Sequence, residues 1–116
     1  MDDKLKAALD FAHFREAFSI QHKILKEKIQ AKLTYGYNGG IFTIDRELIC
    51  FVQMLLDKDR TTSVVLLDIN NNPIIVEDLS KFQEDIMDRY FTATNEYLED
   101  YQKIKKSRSV EKLLDL

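Results

Sequence analysis

The sequence predicts an α+β fold that is mostly helical, with long N- and C-terminal amphipathic helices, a shorter central helix and one β-hairpin. Apolar residues recur every three or four positions over residues 79–104, which is the period of one helix face. Two runs rich in β-branched residues flank three asparagines at positions 70–72, a pattern typical of a hairpin. The chain has 116 residues, a length that predicts a single domain over residues 1–116.

The first helix is predicted from Asp3 to about Leu33, with Asp2 or Asp3 as its cap, because no glycine or proline interrupts this stretch. Its pattern weakens at residues 19–22, so a kink and two successive helices both remain open. Residues 35–40 are predicted as a break, because their Asn-Gly-Gly sequence favours positive φ. The expected apolar stripe of this helix is imperfect and consists of Leu5, Leu9, Ala12, Phe14, Phe18, Leu25 and Ile29.

A short extended segment at residues 41–44 precedes the central helix, which is predicted over residues 46–57 with Asp45 as its cap. A strand is the alternative, because residues 49–56 are mostly apolar. The polar Gln53 and the acidic residues at the start favour the helix. Its apolar face at helical spacing is Leu48, Ile49, Val52, Leu55 and Leu56.

The predicted hairpin pairs residues 63–69 with residues 73–76, around an exposed asparagine turn. Pro73 belongs at a strand end, since it has no N–H to donate to a strand partner. The C-terminal helix is predicted over about residues 79–106 and is followed by a short tail that either docks or frays. Its start lies between Asp78 and Ser80, and Ser80 and Gln83 have the spacing of a capping box.

The apolar stripe of the C-terminal helix suggests assembly. A helix of this length extends beyond the core of so small a domain, so its far end must pack on another long helix or on another copy of the chain. We therefore expect a homo-oligomer whose interface is formed by Tyr90, Tyr97, Tyr101 and Ile104. Residues 77–100 carry a net charge of −6 and residues 21–33 a net charge of +3, which favours pairing of the two long helices within or between chains.

The sequence contains no pattern that predicts catalysis, a metal site or a cofactor. His13 and His22 lie half a turn out of phase on the first helix, so they cannot share a metal and are expected to face solvent or a partner. The one cysteine, Cys50, is expected to be buried and inert in its apolar run. The acidic cluster is expected to be solvated or ion-paired and consists of Glu84, Asp85 and Asp88. An enzyme is not expected.

Charge and hydropathy limit the partners. The formal charge of −3 argues against general affinity for nucleic acid or anionic membranes, and no run reaches the roughly 18 apolar residues of a membrane span. A local basic patch follows Tyr97 and Tyr101 and consists of Lys103, Lys105, Lys106 and Arg108. Basic residues beside aromatic ones suit single-stranded nucleic acid, whereas lysines at a helix C-terminus also complement the helix dipole. Nucleic-acid binding therefore stays open but is not favoured.

Two segments, residues 38–49 and residues 93–110, resemble small uncharacterised proteins encoded by T4-like marine cyanophages. The resemblance implies a phage protein that is made in the cytoplasm of a bacterial host or carried in the virion. It implies no activity. The expected function is that of a non-enzymatic phage structural or assembly protein that acts through helix-mediated oligomerisation. The alternatives are a nucleic-acid-binding accessory protein and a binder of a host protein.

Overall fold

The computed structural model describes residues 2–107, and the mostly helical α+β class with long terminal helices is confirmed. The described elements, in chain order, are α1 (Asp3–Lys32), β1 (Thr34–Tyr37), β2 (Gly40–Thr43), α2 (Arg46–Asp57), β3 (Thr62–Leu67), β4 (Pro73–Asp78) and α3 (Leu79–Lys106). They group into two compact units. Within the described residues, the helical unit comprises residues 2–29 and 95–107, and the mixed unit comprises Gln30–Thr94. That the chain forms a single domain stays a prediction.

The prediction of one β-hairpin is wrong, because the described residues form two separate antiparallel hairpins, β1–β2 and β3–β4. The first lies in the segment that the sequence suggested was a break. Asn38 and Gly39 have positive φ and form its two-residue turn, while Tyr35 pairs with Phe42 across the strands. The Asn-Gly pair suits such a turn. The flanking strands have only four residues each and contain glycine, so their alternation is too short to predict a hairpin.

The other elements match the sequence predictions closely. The second hairpin has its exposed turn at residues 70–72, although its strands are Thr62–Leu67 and Pro73–Asp78. Residues 46–57 form a helix and not a strand, and Asp45 caps it by accepting the Leu48 amide at 2.7 Å. The five residues predicted as the apolar face of α2 are the ones that are buried or half-buried in this helix.

The starts and continuity of the long helices differ in detail from the prediction. Asp78, not Ser80, caps α3, because its carboxylate accepts the Lys81 amide at 3.1 Å. The helix α1 continues without a break through residues 19–22. Its pattern weakens there because two polar residues, Gln21 and His22, lie on the half-buried face.

Phe82 of α3 is the centre of the mixed unit. Its ring is almost fully buried and lies 5.9, 5.2 and 5.5 Å from the rings of Tyr35, Tyr37 and Phe42. Tilted and edge-on aromatic pairs of this kind contribute roughly 0.5–1.5 kcal/mol each beyond the burial of area. The first hairpin therefore packs on α3 through aromatic rings. The rest of this core is largely aliphatic and includes Ile44, Val52, Leu66, Ile74, Val76, Leu79 and Ile86.

Asp68, which follows β3, ties the two hairpins together. Its carboxylate accepts the Ile41 amide at 3.1 Å and the Asn70 and Asn72 amides at 2.9 Å. The Ile69 amide also donates to the Ile41 carbonyl at 2.9 Å. The hydrogen bond from Ile41, followed by that from Asn72, lowers the pKa of Asp68. One buried carboxylate thus fixes the turn of the second hairpin and holds β2 beside it.

We expect Asp68→Asn to lower the melting temperature at neutral pH, because asparagine has one acceptor oxygen where aspartate has two. Since folding lowers the pKa of Asp68, its contribution is full above the unfolded value of about 3.9 and is lost as the pH falls through the folded value. The difference between variant and wild type should therefore shrink in acid. Thermal unfolding across a pH series measures this, with Asp10→Asn on exposed α1 as the control. Equal melting temperatures at neutral pH would contradict the assignment.

Gly40 and Gly36 provide a matched pair for testing the packing between the hairpins. A Cβ on Gly40 would lie 2.5 Å from Cγ1 of buried Ile74, whereas the nearest atom to a Cβ on Gly36 is 4.0 Å away. We expect Gly40→Ala to destabilise the fold by about 1–3 kcal/mol through overpacking. Gly36→Ala should cost less than half as much. Denaturant unfolding of both variants measures the difference, and equal losses would show that the two hairpins are not packed this closely.

Candidate functional site

The helical unit is built on the packing of α1 against the C-terminal part of α3. Ala17 and Ile104 are buried together, and Phe14, Phe18 and Leu25 pack against them. The contacts run from Ala17 with Ile104 to His22 with Tyr97, so the two helices are antiparallel. The covered residues of α1 recur every three or four positions, as one helix face requires.

Beside this contact, His22 lies in a cluster of aromatic rings. His22 Nε2 and Tyr97 Oη share a hydrogen bond of 3.0 Å, and the His22 ring lies 5.5 Å from that of Tyr101. Tyr97 and Tyr101 stack at 6.2 Å, and Phe18 meets Tyr101 edge-on at 6.4 Å. The expectation that His22 faces solvent or a partner is wrong, because the side chain is half-buried against its own chain. Its spacing from Phe18 and Leu25 was the signal that could have placed it there.

The four residues predicted as an oligomer interface do not lie together in one unit. Tyr97 and Tyr101 are half-buried beside α1, and Ile104 is 2% exposed. Tyr90 belongs to the mixed unit, where it packs against the core. The sequence predicted that the far end of α3 packs on another long helix or on another copy of the chain. In the structure it packs on α1, a long helix of the same chain. An interface with a second copy at these residues stays a prediction.

The helix pair also carries a groove and an ion pair. The groove has a volume of about 210 Å³ and is lined by Gln21, Ile24, Leu25, Lys28, Asp100, Lys103 and Ile104. Lys28 Nζ lies 3.0 Å from Asp100 Oδ2, so the predicted attraction between the oppositely charged helices is realised within the chain. Both side chains remain partly exposed, and such pairs contribute only about 0.2–1 kcal/mol. The pair orients the helices more than it stabilises them.

The feature that the sequence prediction missed is an uncovered apolar face on α1. Every residue from 2 to 13 is exposed, including Leu5 and Leu9, which were predicted to lie on the covered stripe. The large apolar side chains on α1 that are between 42% and 63% exposed are Leu5, Leu9, Phe11, Ile20 and Ile24. At about 100° per residue, four of them, all but Phe11, fall within an arc of roughly 100°, which also contains Lys6, His13 and Glu16. Ile24 lies at the edge of this arc, next to the covered face, where it lines the groove against α3. We call Leu5, Leu9, Ile20 and Ile24 the open face of α1.

The predicted basic patch lies in the last turn of α3. Lys103, Lys105 and Lys106 are exposed there, and Arg108 lies outside the described residues. Lys103 also lines the groove that contains Asp100. Lysines in this position complement the partial negative charge of a helix C-terminus. The arrangement therefore does not require a nucleic-acid ligand.

The acidic cluster and the cysteine show no arrangement typical of catalysis. Within residues 2–107, no group of three or more His, Cys, Asp or Glu side chains is placed to hold a metal ion. Asp85 pairs with Lys81 at 3.3 Å, and this contact raises the pKa of Lys81. The prediction that Cys50 is buried is wrong: its thiol is exposed, because the helical period places position 50 on the side of α2 away from Val52.

A second groove, in the mixed unit, was not predicted. It has a volume of about 450 Å³ and is lined by Ala31, Lys32, Thr34, Asp88, Arg89, Thr92 and Ala93. The guanidinium of Arg89 lies 4.5 Å from the ring centre of Tyr35. Burial, followed by the charge of Asp85, raises the pKa of Tyr35. Arg89 therefore covers a core tyrosine, which gives it a structural role at the edge of this groove.

Among the described residues, no helix is both long and apolar enough to cross a membrane. Comparisons of the chain with protein-family models, curated proteins and solved structures gave no match. A function for this chain must therefore be inferred from the surfaces of its two units.

We expect the wild-type protein not to bind single-stranded DNA, because Glu99 and Asp100 lie within about one turn of the basic patch. Their charges act within a Debye length of about 8 Å and should repel a polyanion. Fluorescence anisotropy of labelled DNA at low salt measures binding, and a variant with all four basic residues changed to Ser is the control. Submicromolar binding that weakens with a log–log salt slope of about −0.7 per contact, and that the control variant lacks, would contradict this expectation.

Proposed function

We propose that this chain is a non-enzymatic structural or assembly protein that associates with copies of itself through the helical unit. The observation that carries the proposal is the open face of α1, four large apolar side chains that are each between 42% and 53% exposed. Isolated helical turns are marginal in water, and helices in proteins gain most of their stability from packing. A second copy would provide that packing.

The geometry of the helical unit supports a layered arrangement of four helices. One side of α1 packs on α3, and an identical helix pair related by a twofold axis would cover the other side. In this arrangement the open face of one α1 would pack against the same face of the other. We propose this surface beside the interface predicted from the sequence, because α1 of the same chain already lies on Tyr97, Tyr101 and Ile104.

The resemblance to cyanophage proteins supports a role in a phage-infected bacterium, either in the virion or in its assembly. A binder of a host protein is the second candidate, and it would use the same open face for a different helix. The role of a nucleic-acid accessory protein has less support, because the acidic residues beside the basic patch oppose it. The three roles differ in the partner that should associate with the purified protein: a second copy, a host protein or nucleic acid.

We expect wild-type protein to be a dimer or larger, and Ile20→Glu with Ile24→Glu to reduce its mass. Glutamate is a good helix former, so helix content by circular dichroism should be unchanged while burial of two charges prevents association. Sedimentation equilibrium measures the mass. The matched control is Ala8→Glu with Ser19→Glu, which adds the same charge at exposed positions outside the open face. A wild type that stays monomeric over the whole concentration range would contradict self-association and favour a different partner.

A further inference from the structure

The outer face of the second hairpin is apolar where an exposed sheet face is normally polar. Leu66 and Val76 point into the core of the mixed unit, as the alternation of a half-buried strand requires. On the opposite face, Val65 pairs across the strands with Ile75, and Leu67 pairs with Pro73. Antiparallel sheets with one solvated face usually alternate apolar and polar residues. On this hairpin the outer face is apolar except at one end, where the Ser63 hydroxyl donates to the Glu77 carboxylate.

The apolar surface continues beyond the hairpin onto α2. Leu67, Ile69 and Phe51 line a groove of about 360 Å³, with Asp45 and Glu47 also in its lining. We call Phe51, Val65, Leu67, Ile69 and Ile75 the sheet patch. Each of them is between 47% and 62% exposed. All five lie in the mixed unit, whereas the open face of α1 belongs to the helical unit.

The size of the sheet patch matches what a dimer interface needs. A half-exposed side chain of this size presents on the order of 100 Å², so the five together present roughly 500 Å², at the upper end of the largest patches on typical monomers. A standard interface buries about 800 Å² on each partner, of which about 60% is apolar. The patch thus supplies the apolar part of such an interface, and the polar residues around it would supply the rest.

We propose that the sheet patch is a second self-association surface, on which the same patch of another copy packs face to face. Two sheet faces pack about 10 Å apart with their side chains interdigitated, and a flat hairpin face of aliphatic residues suits this packing. No member of the patch is charged, so a twofold axis through it would bring no like charges together at its centre. The proposal deepens the assembly function proposed above, since it gives each chain two interfaces.

Two different isologous interfaces on one chain have a defined consequence. One interface alone stops at a dimer, whereas two join dimers into a closed tetramer or an open polymer. The wild-type protein should therefore exceed the mass of a dimer. Each interface should be removable separately, leaving a dimer held by the other.

The test compares three variants by sedimentation equilibrium. The sheet variant carries Val65→Thr, Leu67→Thr and Ile75→Thr, which remove apolar area but keep residues that favour strands. The helix variant carries Ile20→Glu and Ile24→Glu, and the third combines all five changes. We expect more than a dimer for wild type, a dimer for each single-surface variant and a monomer for the combined variant. A control with Thr62→Ser and Asn70→Ser, exposed positions on the same hairpin, should keep the wild-type mass.

Each result separates this proposal from the helical interface. A sheet variant with the wild-type mass overturns the sheet patch as an interface, whatever the helix variant does. A helix variant with the wild-type mass overturns the helical interface and leaves the sheet patch intact. Thermal unfolding checks that each variant is folded. If the sheet variant is unfolded, Leu67→Lys alone replaces it, since this side chain is 62% exposed in the monomer.

Discussion

A single helical period of apolar residues along α3 is the constraint on which both units depend. Leu79, Phe82 and Ile86 lie in the core of the mixed unit, and Ile104 lies in that of the helical unit. Each buried cluster of the described residues therefore contains residues of α3. The aromatic rings of the first hairpin surround Phe82, and α1 packs on Ile104. A break in this period would remove the packing partner of every other element.

Because each core is built on one stretch of α3, each remains small, and each unit leaves apolar surface uncovered. In the helical unit this surface is the open face of α1, and in the mixed unit it is the sheet patch. A monomeric soluble protein exposes single apolar side chains routinely, but a contiguous patch of several hundred Å², such as the sheet patch, is often an interaction site. The Lys28–Asp100 pair and the Asp68 hydrogen bonds fix the geometry within each unit. The open face of α1 and the sheet patch therefore each have a defined geometry within their own unit.

The sequence predicted best the features that depend on long, regular periodicity. The bounds of α3 at Leu79–Lys106 match the prediction, and the covered face of α2 was predicted residue by residue. The first hairpin was missed because four-residue strands containing glycine show too little alternation. The start of α3 was left open between Asp78 and Ser80, because Ser80 offered an equally good capping pattern, and Asp78 is the residue that caps the helix. When two local sequence patterns predict different starts for a helix equally well, only the tertiary structure shows which start is used.

The candidate interaction surfaces were harder to predict for a physical reason. The helix α1 carries apolar residues on two sides, and the sequence does not indicate which side α3 covers. The covered side includes the polar residues Gln21 and His22, whereas the apolar Leu5 and Leu9 are exposed. Hydrophobicity alone therefore identified Phe14, Phe18 and Leu25 correctly but wrongly included Leu5 and Leu9. Cys50 shows the opposite error, since it lies in an apolar run but on the exposed side of α2.

We propose that the open face of α1 becomes covered when copies of the chain associate. Hydrogen exchange measured at two protein concentrations tests this proposal. The first turns of α1, within residues 3–13, are exposed on all sides in the described chain, so their amides should exchange fast in a monomer. If copies associate through this face, amide hydrogen exchange in these turns should slow at high protein concentration, while amide exchange around Phe82 should stay unchanged. Exchange in α1 that is the same at both concentrations, under conditions that span any association, would contradict it.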